Sequence, residues 1–276
     1  MKLQKLKILL FFTFVLNLNL QAQNLFDKPH SLAFAKYLFD SRQYKFASIE
    51  LEKLVFFENK NDSLKARLIE SYRLSGFHDK GILRTKQMYG DIQLIPQKPT
   101  IEFAKLLLSD KRFSETKALL ESNKKISNNT KIKFGVELNL LTANWKHADL
   151  MIKKYADSVK VISKYRPIVA EALAFKRKRP WLAASLSVII PGTGKIYTTY
   201  WKDGLFTFAG IGISAWQAYD GFNTDGMKSV YGWIFGGVAT VLYFSNIYGA
   251  AKSARKYNLD NEKKLIHKAE LIMGNY

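Results

Sequence analysis

Apolar and polar positions follow two different patterns along this chain. From residue 24 to about residue 155, apolar residues recur at helical spacing, and short polar breaks separate the runs. From residue 181 to residue 258, long stretches are apolar on every side and hold few charges. The first pattern predicts packed amphipathic helices, and the second predicts helices that are apolar all round. We therefore expect an all-α protein with two modules.

Four polar breaks in the first region each carry an aromatic residue just before a new apolar run. These residues are Tyr44, Phe77, Phe113 and Trp145, and their spacings are 33, 36 and 32 residues. A period of about 34 residues with two helices per period indicates stacked helical hairpins. One hairpin cannot bury its own apolar stripe, so neighbours stack into a continuous core with an extended concave face. We interpret the aromatics as wedges between adjacent helices.

The period and the turns make residues 24–155 similar to a tetratricopeptide repeat array. That family places small residues where the two helices of a hairpin cross. The positions to compare lie three residues after and nine residues before each turn aromatic: Ala47, Lys80, Thr116 and Ala148, and Ala35, Leu68, Ala104 and Val136. The first hairpin fits at both positions, the third and fourth at one each, and the second at neither. The resemblance implies a binding surface for a protein or peptide partner, although fold alone does not fix function.

The second region contains three apolar runs. They extend over Trp181–Ile190, Leu205–Tyr219 and Val230–Ala251, and the last has 22 residues without a charge. That run is long enough to cross a bilayer, whereas the middle run is marginal unless flanking residues extend it. Tyrosine and tryptophan residues near the ends of the runs fit an aromatic belt at the membrane surface. The region is therefore predicted to be a helical transmembrane domain.

Glycines in the last two runs predict close packing of two helices. Gly232 and Gly236 are four residues apart in the last run, and Gly210 and Gly212 lie in the preceding run. Small residues at such spacing let helix backbones approach closely inside a membrane. We expect Gly232 and Gly236 to form a packing face.

The segment PGTGK, residues 191–195, follows the first apolar run and raises the question of a phosphate-binding loop. Such a loop needs a glycine five residues before Gly194 and a hydroxyl residue after Lys195. The sequence has Ile189 and Ile196 at those positions, which excludes that loop. The proline lacks a backbone donor and the glycines allow positive φ, so we interpret the segment as a bend in the membrane. The alternative is a contact site for a partner or a lipid headgroup.

The surroundings of this segment resemble small bacterial membrane domains with two transmembrane helices. The matching residues lie within residues 177–258 and are Pro191, Gly192, Gly194, Tyr197, Tyr200, Trp201 and Lys202. Lys195 stands where that family more often has a polar residue such as glutamine. The resemblance implies an apolar half-helix, a membrane bend at the P-G-x-G-x-x-Y motif and two spanning helices. It implies no biochemical activity.

The net charge of +20 is concentrated before the membrane region. Residues 151–180 hold nine basic and two acidic residues, and the stretch ends in Lys176, Arg177, Lys178 and Arg179. Basic residues beside an apolar segment contact anionic lipid headgroups, and each contributes about 1 kcal/mol near the surface. Nucleic-acid binding would require stacking aromatics among the basic residues and a cytoplasmic location, so we expect no nucleic-acid partner.

The first 23 residues have the layout of a secretory signal. Three lysines precede an apolar run from Ile8 to Leu20, and cleavage is expected after Ala22. The run is short for a membrane span, and the alternative is an uncleaved anchor. No cysteine is present, which excludes disulfides, thiolate metal sites and a lipid-modified N-terminal cysteine. We expect an inner-membrane protein with its repeat domain in the periplasm.

The number of membrane crossings, two or three, stays open at this point. With two crossings, the basic flanks at residues 176–179 and 252–256 lie on the same side, and positive charge prefers the cytoplasm. With three crossings, the C-terminal tail lies opposite the repeats. We expect exterior repeats and a cytoplasmic tail.

Together these patterns predict a signal peptide (1–22), tetratricopeptide-like repeats (24–155), a basic juxtamembrane helix (156–180), a transmembrane domain (181–258) and a tail (259–276). The expected function is a non-enzymatic membrane-anchored scaffold whose repeats bind a protein or peptide partner at the cell envelope. The alternative is a subunit of a membrane transport or envelope-assembly complex that acts through its transmembrane helices. Because no paired catalytic groups, cofactor motif or clustered metal ligands occur, we expect no enzymatic activity, no cofactor and no metal.

Overall fold

The computed structural model describes residues 27–274, and these residues form helices and turns without any β-strand. The prediction of an all-α fold is confirmed for this part of the chain. Contacts divide the chain into two compact units, Met1–Ile126 and Ser127–Tyr276. The predicted signal peptide lies outside the described residues.

Each unit is a succession of antiparallel helices. The described part of the first unit contains α1 Lys28–Asp40, α2 Tyr44–Phe57, α3 Asp62–Leu74, α4 His78–Tyr89, a 3-10 turn Ile92–Leu94, α5 Gln97–Ser109 and α6 Phe113–Ser122. The second unit contains α7 Asn128–Leu141, α8 Trp145–Tyr155, a 3-10 helix Lys160–Tyr165, α9 Arg166–Ala174, α10 Pro180–Ile189, α11 Thr193–Tyr197, α12 Trp201–Asp225, a 3-10 turn Gly226–Lys228 and α13 Val230–Met273. The pairs α1/α2, α3/α4, α5/α6 and α7/α8 are helical hairpins.

The four hairpins are closed by the same turn. In each hairpin, the second residue after the first helix has a left-handed backbone conformation, with φ between 56° and 76°. These residues are Arg42, Gly76, Lys111 and Ala143. The N–H of the following residue donates to the carbonyl five residues earlier, at 2.8–3.0 Å, which ends the helix in a defined direction. Because the same turn recurs at each hairpin, the helices form a repeat-like array.

The second hairpin differs in register from the sequence-based prediction. In the other three hairpins the second helix begins at the turn aromatic, whereas α4 begins at His78 and Phe77 is its N-cap. The position three residues into this helix is therefore Gly81 and not Lys80. Gly81 is buried, and a Cβ there would lie only 2.7 Å from the Cβ of Tyr72. The corresponding buried residues of the other hairpins are Ala47, Thr116 and Ala148.

Buried polar groups of the first unit are paired between helices. The hydroxyl of Tyr72 in α3 donates to Glu52 in α2 at 2.6 Å, and Arg84 in α4 donates to the same carboxylate at 2.9 Å. Burial of the Tyr72 hydroxyl, with the Glu52 carboxylate beside it, raises the pKa of that hydroxyl. The three side chains therefore link three successive helices at one point.

The last hairpin shares its core with the C-terminal part of α13. Leu265 and Ala269 of α13 are buried in one apolar cluster with Leu140 of α7 and with residues of α8 and α9. An ion pair of 2.6 Å between Lys268 and Glu171 holds the same helix to α9. After the apolar region, the chain therefore returns to the hairpin it left.

The segment predicted as a basic juxtamembrane helix has a different local structure. It contains the 3-10 helix, then α9, and then an extended stretch before Pro180. Ile162 and Tyr165 are fully buried in the core of the last hairpin, and the Tyr165 hydroxyl donates to Glu137 at 2.6 Å. Most of this segment packs in the core of the last hairpin, and residues 176–179 lead into the apolar region.

Helix α13 combines an apolar half with a polar half. Its 44 residues extend over about 66 Å at 1.5 Å per residue. Among residues 27–274, it is the one helix that is long and apolar enough to cross a membrane. Only 11 % of its most apolar 18-residue window is buried, which distinguishes it from the core helix of a soluble domain. α10 is apolar as well but has only 10 residues.

Candidate functional site

The PGTGK segment forms the tip of a short helical hairpin. α10 ends at Ile189, the chain turns at Pro191 and Gly192, and α11 follows at once. The backbone N–H of Arg179, at the start of α10, donates to the hydroxyl of Tyr197 at the end of α11, at 3.3 Å. α11 therefore runs back alongside the longer α10, and the side chain of Tyr197 reaches the start of α10.

Two glycines of the motif are required for this hairpin to close. Gly192 has φ 87°, and a Cβ there would overlap the backbone carbonyl of Gly204 in α12. Gly194 is buried against α10, where a Cβ would overlap the carbonyl oxygen of Ala183 and lie 2.6 Å from Oγ of Ser187. Only a residue without a side chain fits at either position.

Polar side chains within the apolar region satisfy the backbone at the tip. Asn246 of α13 is buried; its Oδ1 accepts from the N–H of Gly192 at 3.2 Å, and its Nδ2 donates to the carbonyl of Ser187 at 3.3 Å. The Tyr243 hydroxyl donates to the carbonyl of Val188 at 2.7 Å. Irregular backbone is tolerated at membrane depth only where such partners exist. These contacts fix the hairpin against α13.

The backbone amides of the PGTGK motif are already used within the protein. The N–H groups of residues 192–196 donate to the side chains of Asn246 and Ser187 and to the backbone carbonyls of Ile190 and Gly192. A phosphate-binding loop needs those amides free, so this geometry agrees with the exclusion drawn from the sequence. The ammonium of Lys195 donates to the Thr207 hydroxyl at 2.7 Å. No described carboxylate forms an ion pair with Lys195.

The structure brings the two basic flanks together at the open end of this hairpin. The Asn258 side chain accepts from the N–H of Lys178 and donates to its carbonyl, both at 2.8 Å. The Lys178 ammonium lies 4.5 Å from the ring centroid of Tyr197 and 5.8 Å from that of Tyr257. On the same turn of α13, Lys256 lies 5.6 Å from the ring of Tyr200. The basic flanks, far apart in sequence, therefore meet at one end of the hairpin.

Of the four basic residues predicted to contact headgroups, Lys178 is half-buried, whereas Lys176, Arg177 and Arg179 are exposed. Arg177 forms an ion pair with Glu262 of α13. Arg177 and Lys178 thus contact α13 about two to three helical turns beyond the end of its apolar run.

The glycines predicted to pack helices have unequal roles. Gly232 lies against the ring of Phe222, where a Cβ would be 2.9 Å from the ring, and its backbone meets Gly221 of α12. Gly236 makes only ordinary contact, since a Cβ there would lie 3.8 Å from Ala218. The sequence did not single out Gly221, which forms the other half of the closest approach. A Cβ at Gly210, Gly212 or Gly237 would meet no described atom within 4 Å.

The C-terminal tail lies on the same side of the apolar region as the last hairpin. The chain enters this region at Lys178 and leaves it at Asn258, and these two residues are hydrogen-bonded to each other. Beyond that point, Leu265 is buried in the core that contains Leu140. One apolar core cannot be divided by a membrane, so this contact keeps the tail with the last hairpin. The side of a membrane on which the repeats and the tail lie stays a prediction.

An apolar groove lies between α1, α2 and α3 of the first unit. It has a volume of about 460 Å³ and is lined by, among others, Leu32, Lys36, Phe39, Leu51, Leu64 and Arg67. The Arg67 guanidinium stacks on Phe39 at 4.1 Å and is paired with Glu70. Lys36 is likewise paired with Asp40, so the groove offers an apolar floor with ion pairs at its edge.

Helix α2 exposes an apolar stripe on the outside of the same unit. Its members are Phe46, Ile49, Phe56 and Phe57, and the two terminal phenylalanines are 76 % and 79 % exposed. Exposed apolar residues at helical spacing are typical of a surface that contacts another molecule.

Among residues 27–274, no group of three or more histidine, aspartate and glutamate side chains could hold a metal ion. The absence of a metal, a cofactor and an enzymatic activity stays a prediction.

The chain matches no known protein family, no curated protein and no solved structure. The two resemblances therefore rest on the quoted residues alone.

Proposed function

We propose that this protein is a non-enzymatic, membrane-anchored scaffold whose tetratricopeptide-like hairpins bind a protein or peptide partner at the cell envelope. The observation that carries this proposal is the continuity of α13. One helix extends from an exposed apolar run to buried residues of the last hairpin, so the anchor and the end of the array form one body.

The exposed surface of the apolar region supports insertion into a bilayer. Large apolar side chains point outward along α10, α12 and α13; among them Ile189, Phe206, Trp216 and Val241 are 65–78 % exposed. Exposure of this surface to water is unfavourable, because removing apolar area from water stabilises a protein by about 25 cal/mol per Å². We propose that α12 and α13 cross the membrane and that the α10–α11 hairpin enters it and returns.

The groove of the first unit supports binding of a partner. A photo-crosslinking amino acid at Ala33, an exposed groove residue, is expected to yield one defined crosslinked product in cells. The same amino acid at Lys117, which is exposed on α6, is the control and is expected to yield none. Equal products at both positions, or none at Ala33, would contradict partner binding in the groove.

For location, we propose the inner membrane with the array in the periplasm, because the N-terminal residues have the layout of an export signal. The natural absence of cysteine allows single-cysteine mapping without a background. In spheroplasts, Lys146→Cys on α8 and Lys264→Cys on α13 are expected to react alike with a membrane-impermeant maleimide. Asn223→Cys at the far end of α12 is expected to react only after lysis.

Two outcomes of the labelling experiment would contradict this arrangement. If Lys146→Cys and Lys264→Cys are both protected and Asn223→Cys reacts, the array is cytoplasmic and the export proposal fails. If the first two variants differ from each other, the shared core of the tail and the last hairpin does not exist in the membrane-bound protein.

The second candidate is a subunit of a membrane transport or envelope-assembly complex. The glycines at positions 210, 212 and 237 favour it, because they leave small open faces on α12 and α13 that another membrane helix could occupy. Loss of function on Gly212→Leu with intact crosslinking at Ala33 would favour this candidate over the scaffold.

A further inference from the structure

We propose that the joined basic flanks bind the phosphate groups of anionic phospholipids. The site, here called the basic rim, consists of Lys178, Arg179, Tyr197, Tyr200, Lys256 and Tyr257. This inference rests on the proposed insertion into a membrane and adds a headgroup class and a defined set of residues to it.

The charge of the basic rim is not neutralised within the described part of the chain. Glu262, the carboxylate that approaches the flank, is paired with Arg177. No described carboxylate forms an ion pair with Lys178, Arg179 or Lys256. Basic residues without a paired carboxylate, brought from both flanks to one end of the hairpin, favour an anionic ligand.

Tyrosine rings contact the ammonium groups of both lysines of the basic rim before any ligand binds. The ammonium of Lys178 lies over two rings, at 4.5 Å and 5.8 Å, and its backbone is clamped by the Asn258 side chain. Lys256 lies over the ring of Tyr200. Contacts of ammonium groups with aromatic faces restrict these flexible side chains, which lowers the ordering cost on binding.

The depth of the basic rim selects a lipid phosphate over a soluble anion. The charge-free run of α13 ends at Ala251, and Lys256 follows little more than one helical turn later. On the other flank, exposed Trp181 and Trp201 lie next to the basic residues in sequence, where an interfacial aromatic belt is expected. The cations thus lie at headgroup depth, where the phosphates of the bilayer are located.

The test is a titration of the purified full chain in a neutral detergent with a fluorescent short-chain phosphatidylglycerol. Lys178→Gln with Lys256→Gln is expected to weaken binding about 30-fold, since each cation at the surface corresponds to about fivefold in affinity. The matched control, Lys146→Gln with Lys264→Gln, removes the same charge from exposed positions of the same unit and is expected to change binding less than twofold. Lys178→Arg with Lys256→Arg is expected to retain affinity.

Two further measurements separate the failure of this inference from the failure of membrane insertion. Flotation of the full chain with purely zwitterionic vesicles tests insertion alone, because it does not depend on anionic headgroups. A chain that floats but binds phosphatidylglycerol and phosphatidylcholine equally overturns the basic rim while leaving insertion intact. Equal competition by inositol hexakisphosphate at low micromolar concentration would overturn the lipid assignment in favour of a soluble polyanion.

Discussion

Gly194→Ala is expected to unfold the α10–α11 hairpin and to lower the stability of the apolar region by on the order of 3 kcal/mol. The added Cβ would overlap the carbonyl of Ala183, and it would also displace Ser187, whose Oγ accepts from the Gly194 N–H at 3.1 Å. The contact with the backbone carbonyl of Ala183 cannot yield without separating the two helices. Thermal unfolding in detergent, with protease resistance of residues 175–258 as a second readout, measures the loss.

Gly212→Ala is the matched control for this substitution. A Cβ at Gly212 meets no described atom, and alanine is the better helix former, so the variant is expected to be as stable as the parent or slightly more stable. Two variants that unfold at the same temperature would show that the hairpin is not closed in the manner described. A Gly194→Ala protein that stays folded but loses a partner would instead make PGTGK a contact site.

Leu265→Ala is expected to lower the free energy of unfolding of the last hairpin by about 3 kcal/mol. The Leu265 side chain is 6 % exposed in a core that also contains Trp145, so its truncation leaves a cavity. Denaturant unfolding followed by tryptophan fluorescence reports on this core. Hydrogen exchange should show faster opening of α8 and of the 3-10 helix before α9.

The neighbouring position Leu271 supplies the control on the same helix. Its side chain is 68 % exposed, so Leu271→Ala removes the same atoms with an expected loss below about 0.5 kcal/mol. Equal effects of the two substitutions would mean that the tail does not belong to the core of the last hairpin. The same-side arrangement of the tail and the last hairpin would then lose its main support.

Residues that the sequence did not single out determine the geometry of the α10–α11 hairpin. Asn246 is a lone amide in an apolar run, and an isolated polar residue in such a run is a recognisable signal for a buried partner. Its partners, the N–H of Gly192 and the carbonyl of Ser187, are 54 and 59 positions away, so the sequence offers no way to identify them. Gly204 and Gly221 likewise matter only because another backbone approaches them.

The sequence by itself determined the features that depend on local spacing. Helix periodicity, the recurring hairpin turns and the uncharged run of α13 follow from residues within one or two turns of each other. The second hairpin differs from the prediction by one residue in register. Its second helix begins one residue after Phe77, because Gly76 takes the left-handed position of the turn.

Only the tertiary structure decided the features that depend on residues far apart in the chain. These are the backward turn of α11, the joining of Lys178 with Asn258, and the burial of Leu265 beside Leu140. Each is a contact between surfaces whose individual patterns are compatible with several partners. Burial of apolar area and pairing of polar groups select one arrangement, and that selection involves the whole unit rather than any single segment.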